Sequence, residues 1–438
     1  MTPTPQQVEQ AVARADRVRR ELAATPAHLR AAALLHVSGR LEERAEEVAA
    51  LITEETGKPA RWSSAEVARA VSTFRFAAEE TRRWSGELQR LDTDPAGEGR
   101  LALVSRVPRG PVLGITPFNF PLNLVAHKVA PALAVGAPVL VKPAPAAPRT
   151  ALLLGELLGE TELPGGSSAV LPVDDDMTQR LVRDPRLPVV SFTGSVPVGW
   201  SIRDAVPRKH VVLELGGNAA AVVCADAPDL AWAAARTALF GVAQAGQSCI
   251  SVQRVLVHRT VLERFRALLL PTLQALSVVD DVGPLVDERA AVRVEQWVDE
   301  ALAGGARALC GARREGRSYL PTVLEDVPPG AKVRDEEVFG PVLVLEPFED
   351  LDQAFAAVNA SRFGLQAGVF TSSLTTAFRA HRELEVGGVV VNDVPTYRAD
   401  QMPYGGMKDS GQGREGVRSA MVDLTEEKVL VLSGIDLP

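Results

Sequence analysis

Three residues stand out by type and setting. Cys249 follows Gly246-Gln247-Ser248 after a helical stretch. Glu214 closes a short apolar run ahead of Leu215-Gly216-Gly217, and Asn119 lies within Thr116-Pro117-Phe118-Asn119-Phe120-Pro121. A thiolate is a strong nucleophile at neutral pH. A nearby carboxylate can act as a general base whose proton affinity rises on burial, and a side-chain amide can donate to an oxyanion. Other motifs fall around these three: Lys142 after Pro138-Val139-Leu140-Val141, the turn Gly194-Ser195 after Phe192-Thr193, and Glu337-Val338-Phe339-Gly340-Pro341. Each also has an ordinary structural reading. A buried cysteine is usually a small hydrophobe, Glu214 can cap a helix, Gly216-Gly217 can be a bend, and Lys142 can end a strand at the surface. Gly194-Ser195 lacks the spacing of the dinucleotide fingerprint, so alone it is a turn before it is a phosphate cradle.

The elements that carry these residues change period along the chain. Residues 5–56 predict two helices, with Thr25-Pro26 as cap and first-turn proline and Gly57-Lys58-Pro59 as the stop. A further helix is predicted over 64–83, and residues 92–100 are polar and turn-rich. From residue 104 to 234, short apolar runs alternate with helical stretches, the pattern of a parallel sheet with crossover helices. A second α/β series follows Ala219, with strands near 254–257, 342–345, 367–370 and 389–391. The tail over 427–432 reads as an isolated strand in need of a partner, another subunit being one source.

With 438 residues the chain has room for two or three domains. Its apolar content of 46% with only 5% aromatics means a core of Ala, Val and Leu. A net charge of −8, without clustered Lys and Arg among aromatics, excludes a basic nucleic-acid footprint. The three cysteines, Cys224, Cys249 and Cys310, make no disulfide framework and suit a reducing compartment. No apolar run reaches the ~18–20 residues of a bilayer span, and residues 1–10 carry no signal-like apolar region. The expected location is the cytoplasm, without a membrane partner, and Asn359-Ala360-Ser361 is then a chance sequon. No metal site is expected.

Together with Pro403-Tyr404-Gly405-Gly406-Met407-Lys408-Asp409-Ser410-Gly411, these motifs in this order resemble the aldehyde dehydrogenase superfamily from about residue 30 to 432. Residues 246–254 and 391–416 are most similar to the lactaldehyde, phosphonoacetaldehyde and non-phosphorylating glyceraldehyde-phosphate enzymes. The resemblance implies oxidation of an aldehyde to an acid with NAD or NADP. Cys249 would be the nucleophile, passing through a thiohemiacetal and a thioester. Asn119 and the backbone N–H of Cys249 would form the oxyanion hole, and Glu214 would activate the hydrolytic water. Cofactor contacts are implied for Thr116, Pro117, Phe118, Lys142 (adenosine ribose), Gly194 and Ser195 (pyrophosphate, at a helix starting near Val196), Leu215, Glu337 (nicotinamide ribose) and Phe339. Pro145 stands where NAD-preferring members often carry a carboxylate, which leaves NAD and NADP both open, with Arg149 as a nearby phosphate partner.

The implied fold class is α/β. A Rossmann-like parallel-sheet cofactor domain (1–90, 108–215 and 403–423) joins a second α/β catalytic domain (216–402). A small β extension (91–107 and 424–438) would build a homodimer or homotetramer. The N-terminus is shorter than is usual in the family and lacks its opening strands. His127 matches a position lining the aldehyde tunnel, and Arg106, Arg254 and Arg398 lie where they could join it. Cations there suit a small aldehyde with a carboxylate, phosphate or phosphonate tail, although Ser248 stands where some phosphate-binding relatives carry an arginine; the alternative is that His127 and these arginines make structural hydrogen bonds. Two rival readings are a CoA-acylating enzyme, which Glu214 disfavours, and a non-catalytic binding or structural member, which the retained thiol and carboxylate disfavour.

Overall fold

A computed structural model describes residues 2–435. Two α/β layers and a small antiparallel sheet organise the chain. The first sheet runs in the order Gly411–Gln412, His210–Glu214, Val189–Thr193, Val112–Ile115, Val139–Lys142, Ser168–Val170, all parallel except Gly411–Gln412. Its central strands are buried along their length and built from Val, Leu and Ile, as strands covered on both faces must be. The chain enters at Val112–Ile115, builds outward through two strands, then returns to the other side at Val189–Thr193. The carboxyl ends of those two strands therefore flank a topological switch point, where open α/β sheets bind ligands. Thr116–Asn119 and Gly194-Ser195 are the turns at that point.

Six residues after Glu214, at Ala220, the second sheet begins. Its order is Arg307–Cys310, Thr322–Glu325, Val342–Phe348, Arg254–His258, Ala220–Val223, Gln366–Phe370, Gly388–Val391, with only Arg307–Cys310 antiparallel. The segment carrying Cys249 connects the helix Leu230–Val242 to the strand Arg254–His258. A third sheet pairs Glu87–Arg90 with Arg100–Pro108, and Arg100–Pro108 with Thr425–Ser433 over nine residues. The tail strand is thus partnered within its own chain. Thr425–Ser433 still presents a free edge and three exposed apolar side chains, Val429, Leu430 and Val431.

The N-terminal region departs from expectation in detail. Residues 5–56 form three helices, Pro5–Ala24, Ala27–Glu43 and Ala45–Thr56, the last two separated by Arg44 alone. The first helix is closed by a capping box between Thr4 and Gln7 with Pro5 in its first turn. Thr25 is the C-cap of that helix, and Pro26 precedes the next without a side-chain cap. Gly57 ends the third helix in the left-handed region at φ 74, as a terminal glycine can. The fourth helix starts earlier than predicted, at Ala60 directly after Pro59. Among the described residues no helix is long and apolar enough to cross a membrane.

Candidate active site

A cavity of 560 Å³ opens between the two large sheets, lined by Asn119, Glu214 and Cys249 together with Pro117, Phe118, Gly194, Ser195, Leu215, Glu337 and Phe339. The turn bearing the thiol is held in an uncommon conformation. Gln244, Ala245 and Gly246 have consecutive positive φ values of 54, 55 and 67°, a cost that persists only where surroundings over-determine the chain. Those surroundings are amides: Asn119 Nδ2 donates to Gln247 O at 3.0 Å, Gln247 Nε2 donates to Gln244 O at 3.1 Å, and Gln244 Nε2 donates to Asn119 O. The Asn119 turn and the Cys249 turn are therefore laced into one unit. Gly217 completes the fit, since a Cβ there would lie 2.2 Å from Cys249 O.

The cavity walls set the protonation states. Burial pushes the Cys249 thiol up to about 12, against a lowering contribution from Tyr404, whose hydroxyl lies 3.1 Å from the sulfur. Burial also raises the Glu214 carboxyl well above the usual carboxylate range. The neighbouring Glu415 adds to this, while Arg398 and Lys128 pull it back. Among the described residues neither Glu214 oxygen has a hydrogen-bond partner. Glu415 behaves oppositely: although burial opposes it, Lys128 and Arg398 hold its carboxyl down to about 2. Lys128 Nζ donates to Glu415 at 3.0 Å and to Ser191 and Thr193, and Arg398 Nη2 donates to the other Glu415 oxygen at 3.1 Å.

Of the residues implied for the cofactor, Pro117, Phe118, Gly194, Ser195, Leu215, Glu337 and Phe339 line this cavity. The helix Val196–Ala205 starts with no side-chain cap from Ser195, so its first N–H groups are free to meet an anion. Glu337 accepts from Gly217 N–H at 3.0 Å, and its burial raises the carboxyl to about 7. Phe118 and Phe339 meet edge to face at 6.1 Å. Lys142 and Thr116 are adjacent, joined by Thr116 N–H to Lys142 O at 3.1 Å, but neither lines the cavity wall. The Lys142 ammonium faces the exposed Asp175 at 3.7 Å, a carboxylate that no local motif disclosed. Arg149 is engaged by Glu54 at 2.6 Å.

Of the four expected substrate contacts, only Arg398 reaches the cavity. Arg106 points to the small sheet, donating to Thr425 and Glu427. Arg254 is buried in the second sheet, where it pairs with Glu346 at 2.7 Å and donates to Ala357 O. His127 lies beneath the cavity, bonded to Asp400 at 3.1 Å, and burial together with Arg398 lowers its ring to about 4, so it is neutral and not the expected cation. Arg69, not foreseen, does line the cavity, held by Asp400 at 2.8 Å. Tyr404 was visible only as part of a glycine-rich motif. Its ring lies beneath the Arg398 guanidinium at 3.8 Å.

Known proteins are similar to this chain in sequence and fold. The aldehyde dehydrogenase family model matches residues 2–430. A 3-sulfolactaldehyde dehydrogenase from Priestia aryabhattai is 42% identical over 407 residues, covering 91% of this chain and 85% of that protein. The crystal structure of aldehyde dehydrogenase 21 from Physcomitrella patens, in complex with its reaction product succinate, superposes with a TM-score of 0.97 at 42% identity, covering 99% of this chain and 92% of that one. The NADP-dependent glyceraldehyde-3-phosphate dehydrogenase from Bacillus halodurans C-125, complexed with NADP, gives 0.95 at 34% identity, again covering 99% and 92%. With the family model spanning nearly every residue and the fold repeated in each of these structures, the chain belongs to the aldehyde dehydrogenase family.

Proposed function

We propose that the protein oxidises a small aldehyde bearing an anionic group to the corresponding acid, using NAD or NADP. The carrying observation is that Cys249, Glu214 and Asn119 line one cavity while both Glu214 oxygens are buried without a partner. A carboxylate placed for stability would be paired. One that must meet a transient water would not.

In this reading the Cys249 sulfur adds to the aldehyde carbon, forming a C–S bond, and the carbonyl oxygen becomes an oxyanion. Asn119 Nδ2 has one hydrogen committed to Gln247 O and a second available for that oxygen. The free helix start at Val196, Glu337 and the Phe118–Phe339 pair are the residues that would hold the dinucleotide. When bound, it supplies the hydride acceptor that turns the tetrahedral adduct into a thioester on Cys249. Glu214 then removes a proton from water, whose oxygen attacks the acyl carbon and expels the sulfur. Lys142, whose ammonium lies 3.7 Å from Asp175, would contact the adenosine ribose.

The anionic tail is supported by Arg398 and Arg69 on the cavity wall. Arg398 Nε is buried and without a partner, a donor suited to a carboxylate, sulfonate or phosphate oxygen. The three relatives above are named for a sulfonated aldehyde, a succinate product and a phosphorylated aldehyde, so each has an anionic tail. The exposed apolar strand Thr425–Ser433 supports assembly into a homodimer or homotetramer.

The test is a panel of succinate semialdehyde, a sulfonated and a phosphonated aldehyde, lactaldehyde and hexanal, each with NAD and with NADP. Higher kcat/KM for the anionic members is expected, and preference for hexanal would overturn the substrate class. Cys249→Ala should abolish turnover while cofactor binding persists.

A further inference from the structure

The phenol of Tyr404 has a single polar partner among the described residues, the Cys249 sulfur at 3.1 Å. Nothing else explains the hydroxyl. The ring is held without its hydroxyl: Tyr404 N–H donates to Glu415 O at 2.9 Å, Glu415 N–H donates back at 2.7 Å, the Arg398 guanidinium covers one face, and Ile250 and Leu365 pack against it. A phenylalanine would satisfy all of those contacts. The hydroxyl is therefore spare for packing and committed to sulfur.

Resting on the proposed mechanism, we propose that the Tyr404 hydroxyl is a catalytic hydrogen-bond donor to the Cys249 sulfur, stabilising the thiolate when it forms for attack and again when it is expelled from the thioester. The phenol keeps its own proton throughout. On attack, the S–H bond breaks with its proton passing to water or hydroxide that enters the open cavity, and the sulfur electron pair forms the C–S bond. On hydrolysis the water oxygen bonds the acyl carbon, the C–S electron pair returns to sulfur, and the Tyr404 O–H receives it as a hydrogen bond. Burial keeps the phenol itself protonated, so it donates across the working pH range, and the guanidinium over its ring strengthens it as a donor.

The two steps respond differently. Losing a hydrogen bond to a charged group should raise the thiol pKa by roughly one to two units. Each unit leaves about tenfold less thiolate but makes what remains about threefold more nucleophilic, a net loss near threefold below the thiol pKa. For the leaving sulfur there is no such offset. Tyr404→Phe should therefore slow thioester hydrolysis more than it slows thioester formation.

The first measurement needs neither aldehyde nor cofactor. The rate of Cys249 modification by a pyridyl disulfide near pH 8, read at the Cys249 peptide by mass spectrometry, should fall by about threefold or more in Tyr404→Phe. Replacing the three tyrosines with a ring-fluorinated tyrosine, a more acidic donor in an unaltered sequence, should raise it, and covers the case in which Tyr404→Phe does not fold. Single-turnover kinetics should then show the larger loss in hydrolysis. An unchanged thiol rate in both altered proteins would overturn the inference while leaving aldehyde oxidation standing. A shifted thiol rate with no turnover on any aldehyde would instead remove the proposed function and leave the Tyr404–Cys249 interaction intact.

Discussion

Glu337→Gln isolates the conflict between stability and cofactor binding at this cleft. The glutamine keeps an acceptor for Gly217 N–H, the one hydrogen bond Glu337 makes, and removes the ionisable group. Glu337 titrates near 7 in the folded protein against 4.5 without the fold, burial being the cause. Its folded pKa is raised, so the unfolded chain releases this proton more readily, and stability is lost as pH climbs from about 4.5 towards 7. Linkage across that gap gives about 0.8 kcal/mol lost at about pH 5 and about 3 kcal/mol at about pH 8. Glu337 is half-buried at the cavity wall, so solvent in the cleft makes the latter an upper figure. Whatever fixed offset the amide introduces, Glu337→Gln should gain about 2 kcal/mol on wild type between these two pH values. Urea unfolding of both proteins at each pH reads this directly. Coenzyme binding should move the other way, with KM for the coenzyme raised about tenfold or more at about pH 8, where a charge-assisted acceptor is lost, and less where Glu337 is already protonated. A stability difference independent of pH would refute the burial argument.

Other expectations follow from the same cavity. Glu214→Gln should slow hydrolysis by about 10²–10⁴ and leave an acyl adduct on Cys249 detectable by intact mass; full turnover without adduct would remove Glu214 from the mechanism. Because burial raises the Glu214 carboxyl and pushes the Cys249 thiol up to about 12, wild-type kcat should rise with pH through the neutral and alkaline range, and a flat profile would contradict this. Arg398→Met should raise KM for an anionic aldehyde by about tenfold or more while leaving the KM for hexanal nearly unchanged, whatever it does to kcat for both, and equal KM increases would argue for a purely structural arginine. Val431→Lys on the exposed strand should shift light-scattering mass towards the monomer; an unchanged mass would place the assembly surface elsewhere.

Much of this site could be read from the chain, because its chemistry sits at the ends of strands. Glu214, Lys142 and Gly194 follow apolar runs whose length and composition announce buried parallel strands, and the switch point between Val112–Ile115 and Val189–Thr193 brings their ends together. Long-range pairing was not legible. Arg254 has the same local setting whether it enters a tunnel or, as observed, meets Glu346 in the next strand of the sheet. His127 lies on the helix Asn123–Val135, buried at every position, so no polar face could have announced its bond to Asp400. Tyr404 was within a quoted motif, yet its contact with Cys249 spans 155 residues and leaves no local trace.

The charges beneath the cavity explain why substrate and base should be coupled. Lys128 and Arg398 are cations and Glu415 an anion, so these three groups carry one net positive charge while Glu214 keeps its proton, and Arg414 adds to the positive field. Ionising Glu214 offsets that charge, which is why Arg398 and Lys128 act to lower it against burial. A substrate tail seated on Arg398 would supply the same compensating charge first. Glu214 would then hold its proton more tightly while the aldehyde is bound, and release it more readily once the tail is absent. The consequence separates substrate classes by physics and not by fit. With a charged tail the alkaline rise in hydrolysis begins at higher pH than with hexanal, since each buried charge within a few ångströms shifts a neighbour's titration by a unit or so. On the proposed function, an arginine that selects an anionic aldehyde would thus also set the pH at which its thioester is released.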